Sequence, residues 1–99
     1  MQELKGKQRR YLKSLANPLK AVVYVGREGI TPALLRSIDD AYNTSELIKL
    51  KIERSCAIDR RELGPQLAEA SASHLIQIIG QTLLLYRPDP EDPRIQLPA

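Results

Sequence analysis

The chain has one cysteine, one histidine, no tryptophan and no phenylalanine among its 99 residues. A lone Cys56 cannot close an internal disulfide, which fits a reducing compartment. One Cys and one His do not make a tetrahedral zinc site, so no metal is expected. His74 opens a strand-like run and reads as an edge or surface residue, and Cys56 lacks the local signature of a nucleophile. Asp39 and Asp40 are adjacent on a helical stretch and point to different sides, so they are no acid–base pair. "GREGIT" lacks the Lys-Ser/Thr ending of a P-loop and the third glycine of a dinucleotide fingerprint. The expectation is a protein that is not an enzyme, with no cofactor and no small-molecule substrate. No apolar run approaches the ~20 residues of a membrane span. The start, "MQELKGKQRRYLK", is too polar for a secretory signal, so a cytoplasmic location without a membrane partner is expected.

Positive charge is present, and it is unevenly placed. Residues 1–27 hold seven basic side chains (Lys5, Lys7, Arg9, Arg10, Lys13, Lys20, Arg27) against Glu3, or 7 − 1 = +6. The remaining residues hold 8 basic and 11 acidic side chains, or −3, which sums to the chain's +3. Such asymmetry points to an anionic partner for the first third of the chain. Leu4, Tyr11, Leu12, Leu15 and Ala16 share one side of a helical wheel, with Arg9, Arg10 and Lys13 opposite. Residues 2–16 therefore read as an amphipathic helix whose basic face is either merely solvated or binds that partner.

The rest alternates between the two regular periods. "KAVVYV" suits a strand, and Thr31-Pro32 suits a helix start, with Thr31 as N-cap and Pro32 at the first helical position. Leu34, Leu35, Ile38, Ala41 and Tyr42 give that helix an apolar stripe. "ELIKLKIE" alternates as a strand with one polar face. Asp59 and Glu62 resemble a capping box, followed by a helix that either kinks at Pro65 or begins there. Gly80-Gln81 between two apolar runs predicts a type II′ hairpin. The order is α-β-α-β-α-β-β: a compact α/β domain over residues 1–88, with a mixed sheet and helices packed on it. The Pro-rich acidic tail, residues 89–99, is expected to be largely disordered.

Gly26-Arg27-Glu28-Gly29 joins the first strand to the Thr31 helix start. Two glycines three apart serve either a turn or the close approach of a ligand to the main chain. The neighbouring helix N-terminus attracts anions, and Gly-x-x-Gly loops clamp nucleic-acid backbones in KH-type modules. An aspartate at Gly29 is then expected to weaken RNA binding while leaving the fold intact. With no Phe or Trp, and with Tyr11 and Tyr42 on apolar helix sides, recognition by shape and phosphate is expected, with little stacking. Lys49, Lys51 and Arg87 read either as extensions of the binding surface or as ordinary exposed charges.

"LKGKQRRYLKSLANPLKAVVYVGREGIT", "ELIKLKI" and "IIGQTLLLYR" together resemble the CRM domain, the chloroplast RNA splicing and ribosome maturation module. The likeness is to its stand-alone bacterial, YhbY-like form. It implies a fold akin to the C-terminal domain of translation initiation factor three. It implies RNA binding without catalysis, on ribosomal RNA in precursors of the large subunit; a monomer is expected. The family's RNA-contacting positions map onto Gly26, Arg27, Glu28 and Gly29, onto Lys7, Arg9, Arg10 and Lys13 of the basic helix, and onto Lys20; Thr31 follows the loop. Glu28 departs from the usual loop, and Ala21 stands where proline is frequent. The rival expectations are a protein-interaction module whose basic face docks an acidic protein, and an intron-RNA splicing cofactor.

Overall fold

In the computed structural model, which describes residues 3–99, "AVVYV" forms strand β1 (Ala21–Val25), with Val23 and Val25 buried and Val22 and Tyr24 exposed. Its period of two is the pleat. Helix α1 (Gly6–Leu15) precedes it; α2 (Pro32–Tyr42), β2 (Leu47–Ile52), α3 (Arg60–Ala70), β3 (His74–Ile79) and β4 (Thr82–Tyr86) follow. The element order is the one that periodicity predicts. The first helix is shorter than the predicted 2–16, and residue 2 lies outside the described residues. It begins at Gly6 because the Lys5 backbone N–H donates to Gln8 Oε1 at 2.9 Å, closing the N-terminus from outside.

The strands form one mixed sheet in the order β1-β2-β4-β3, with β1 and β2 parallel and both other pairings antiparallel. Gly80 has φ +54°, and Gln81 is not among the positive-φ residues, as the predicted type II′ turn requires. Alternation splits the sheet into two faces. The inner face carries Ile48, Leu50, Leu83 and Leu85, packed on Leu34 and Ile38 of α2 and on Leu63 and Leu67 of α3. The helix α3 runs unbroken through Pro65, and Asp59 makes no side-chain cap. Gly64 is buried where a Cβ would meet Leu75 and Ile78 at 3.1 and 3.2 Å, so glycine sets how closely α3 lies on β3.

The outer face is covered at one end only. Leu12 of α1 and Ala16, its C-terminal cap, pack there on Leu47, Ile76, Leu84 and Tyr86. The segment 89–99 has no helix or strand, yet it lies along this cluster, with Ile95 and Leu97 against it. Composition did not anticipate this. Its anchor is Glu46, 2% exposed, whose carboxylate accepts from the backbone N–H groups of Asp89, Arg94 and Ile95 at 2.5–2.7 Å. A buried carboxylate is stable only when so satisfied. Arg87 closes the inner side: it pairs with Asp39 at 3.0 Å, donates to Ser71 O at 2.8 Å and lies 4.2 Å above the Tyr42 ring. Its charge is thereby a fixture of the fold.

Candidate nucleic-acid interface

The loop after β1 is a tight turn. Gly29 N–H donates to Gly26 O at 3.1 Å, and neither Arg27 nor Glu28 has positive φ, the pattern of a type I turn with glycine at its fourth place. Arg27 and Glu28 form its exposed tip, and no ion pair joins them among the described residues. The two glycines differ. Gly29 is buried at φ +70°, and a Cβ there would sit 2.9 Å from Ile58 Cδ1, inward rather than toward solvent. Gly26 is half-buried with ordinary φ, and a Cβ would lie 3.6 Å from Glu53 Oε2. An aspartate at Gly29 is thus expected to damage the fold, contrary to the expectation from sequence. The turn shapes the loop, and of the two glycines it is Gly26 whose Cβ position is not crowded.

The helix end beyond the loop is nearly saturated. Thr31 Oγ1 accepts from Leu34 N–H at 3.1 Å and Thr31 O from Leu35 N–H at 3.1 Å, while Pro32 has no N–H. Thr31 is a cap, as its position predicts, and Ala33 N–H is the one donor of that turn with no partner among the described residues. The loop's formal charge is also balanced: Arg27 and Arg54 are matched in number by Glu28 and Glu53 in two neighbouring turns, which are joined by Ala57 N–H donating to Arg27 O.

The predicted basic residues do not gather at the loop. α1 lies over β3 and β4, whereas β1 is the opposite edge. Arg9, expected on the open basic face, is half-buried and donates from Nη1 to Leu75 O at 2.8 Å, tying α1 to β3. Lys7, Arg10 and Lys13 remain exposed on α1, and Lys20 stands at the start of β1, the far end from the loop. Strand register brings the two groups into relation. Lys13 borders Lys49, Gln77, Ile79 and Thr82 in a shallow depression, and Lys51 stands beyond Lys49 on the same outer face, opposite Tyr24 of β1. A positive track thus leads from α1 through Lys49 and Lys51 to Arg27. At its end a groove of about 580 Å³ runs between the free edge of β1 and α2, lined by Val22, Tyr24, Gly26, Arg27, Ala33 and Ser37 among others.

Sequence reasoning weighed Lys49 and Lys51 without placing them, and passed over Tyr24. It considered Tyr11 and Tyr42: Tyr42 is buried, with its hydroxyl donated to Ser73 Oγ at 2.8 Å, and burial pushes its pKa up to about 12. Tyr11 is 39% exposed despite its place on the apolar side of the wheel. His74 stacks on Tyr86, with ring centroids 5.9 Å apart, and burial, then Arg9, holds its pKa below the usual value. No group of three His, Cys, Asp or Glu able to hold a metal is found among the described residues, and no helix there is long and apolar enough to cross a membrane.

The family model of the CRS1 / YhbY (CRM) domain matches residues 4–87, all seven elements of the fold. The chain belongs to the CRM domain family. Its similarity to whole proteins is of the same extent. The probable RNA-binding protein YqeI of Bacillus subtilis (strain 168) is 36% identical over 95 residues, covering 96% of this CRM chain and 99% of that protein. An RNA-binding protein of Haemophilus influenzae is 37% identical over 98 residues, covering 99% and 98%. The solution structure of protein SAV1595 from Staphylococcus aureus superposes with a TM-score of 0.81 at 38% identity, covering 97% of this CRM domain and 100% of that chain.

Proposed function

We propose that this CRM domain binds RNA without catalysing a reaction, and that it associates as a cytoplasmic monomer with precursors of the large ribosomal subunit and aids their assembly. The observation that carries the reading is the track of Lys13, Lys49, Lys51 and Arg27 ending at a groove beside an exposed turn, in a chain whose relatives are named RNA-binding proteins. Clustered cations displace the counterions of phosphates, and a groove with backbone at its rim positions one strand. The Lys7 and Arg10 side of α1 supplies further attraction, while Arg9 and Gly29 act through the fold. Glu28 and Glu53 temper the loop, so most of the affinity resides along the track.

The test is fluorescence anisotropy of a labelled, structured large-subunit RNA fragment at several salt concentrations, together with co-sedimentation on precursor particles. Wild type is expected to bind with strong salt dependence. Lys49→Glu with Lys51→Glu should weaken binding to all sequences and flatten the salt slope by about 0.7–0.9 per lost phosphate contact. Binding with a flat salt response, or none at low salt, would point instead to an acidic protein partner.

A further inference from the structure

At the open end of the outer face, one residue from each strand falls into a single row. Register pairs Tyr24 with Lys51, Lys51 with Thr82, and Thr82 with Ile79, so the row crosses the whole sheet. Adjacent strands are ~4.8 Å apart, which makes the row roughly 14 Å long. Tyr24 is 59% exposed and Ile79 61%, and Val22, beside Tyr24 on β1, is 59% exposed. Among the described residues these are the large apolar side chains that the fold leaves most in solvent. α1 and the tail cover the other end of the same face, where Leu47, Ile76 and Tyr86 are buried. Tyr24 also forms one wall of the groove at the loop.

We infer that this row is a stacking platform for an unpaired stretch of RNA, with one base laid on the ring of Tyr24 and the neighbouring sugar-phosphate held by Lys51 and Lys49. The inference rests on the proposal that the domain binds RNA, and deepens it from phosphate attraction to recognition of unpaired bases. Charge complementarity selects the occupant. Lys51 stands within the row between the exposed Tyr24 and Ile79, and the row is bordered by Lys13 on α1, by Lys49 within the sheet and by Arg27 past the end of β1. An apolar protein surface would leave those ammonium groups facing no counter-charge, whereas a nucleotide presents a flat π-face and an anionic phosphate together. A tyrosine ring on a rigid strand, next to lysines and beside a groove, is the arrangement that single-stranded RNA exploits on sheet surfaces. Duplex RNA has its base faces already stacked and gains nothing from Tyr24.

The consequence is a preference for unpaired RNA that depends on the ring. The probe is a labelled single-stranded RNA dodecamer and a fully paired duplex of the same length, titrated with the full chain at fixed salt. Tyr24→Leu keeps an apolar residue on the strand but removes the ring. It is expected to weaken single-strand binding about 5- to 100-fold, with duplex binding and the salt slope unchanged. Tyr24→Phe should stay within about 2-fold of wild type. The ring protons of Tyr24, assigned by their absence in Tyr24→Phe, should move upfield when the dodecamer binds. Equal single-strand affinity for wild type and a folded Tyr24→Leu would overturn the platform while leaving RNA binding in place. Failure of wild type to bind either RNA would remove the functional proposal, and the platform with it.

Discussion

Gly26 and Gly29 look equivalent in sequence, and the structure predicts that they respond oppositely to the same methyl group. At Gly29 the backbone has φ +70°, a conformation that costs an L-residue about 1–2 kcal/mol. The added Cβ would also sit 2.9 Å from Ile58 Cδ1, inside the usual carbon–carbon separation of about 3.5–4.0 Å. That atom is the far end of a side chain that can turn aside, so the crowding adds about 1 kcal/mol at most, the low end for overpacked sites. Gly29→Ala is therefore expected to destabilise the domain by about 1–3 kcal/mol, or roughly 4–24 °C in Tm for a chain of this size. At Gly26, φ is ordinary and the nearest atom outside its chain neighbours is 3.6 Å away. There an alanine is expected to be neutral or stabilising by up to about 1 kcal/mol, because it restricts the unfolded chain.

Thermal and urea denaturation of the two alanine variants side by side measure this directly. A Gly29→Ala protein that melts within about 2 °C of wild type would refute the reasoning, and so would a Gly26→Ala protein that is equally damaged. The difference matters for function. Loss of RNA binding in a Gly29 variant would report unfolding, whereas Gly26→Ala, with its fold intact, tests whether an RNA backbone comes close to the loop.

Three further outcomes follow from the same geometry. Glu46→Ala removes the acceptor of three tail N–H groups and is expected to lower stability by about 2–3 kcal/mol in urea and to speed tryptic cleavage after Arg94; an unchanged cleavage rate would mean that the tail is held by other means. Ala72 follows α3 at φ +52°, with Ser73 N–H donating to Ala68 O at 2.8 Å, so Ala72→Gly should raise stability by about 0.5–1 kcal/mol, seen as a higher Tm. Because burial lowers the His74 pKa from 6.5, the unfolded chain binds the proton more readily. Stability is then expected to be full above about pH 6.5 and to fall as pH drops below it, a dependence that His74→Gln should reduce in pH-resolved melts.

What the sequence made legible was whatever follows from a local period. Alternation in "ELIKLKI" fixes which side chains share a face, and Gly80-Gln81 fixes the hairpin, so element order and strand type could be read without a structure. What escaped depends on neighbours that only the assembled fold supplies. A helical wheel places Arg9 opposite Leu12, but it does not show that β3 lies within reach of the guanidinium, whose hydrogen bond to Leu75 O takes it out of the basic face. The composition of residues 89–99 argues for disorder because it weighs side chains, whereas the segment is held by backbone N–H groups that meet one buried carboxylate far away in sequence. Tyr24 was hidden in another way. In "KAVVYV" every residue after the lysine is apolar or aromatic, and nothing local says which alternate set meets a helix and which meets water.

The uncovered row follows from the lengths of the covering elements. α1 has 10 residues, or about 15 Å, and it ends near Lys49 and Gln77, with the Tyr24–Ile79 row beyond it. The tail adds cover only at the Leu47 and Tyr86 end, where Glu46 holds it. One more helical turn would bury Ile79 and shield the lysines, and burying apolar surface contributes ~25 cal/mol per Å². Leaving it open forgoes that stability and exposes apolar side chains on an edge strand, a standing liability for association between strand edges. Charge limits that liability here, with Lys20 before β1, Lys51 beside it and Arg27 after it. The same cations that discourage a second apolar strand attract a polyanion. On the RNA-binding reading proposed above, such a surface would select nucleic acid by what it repels as well as by what it binds.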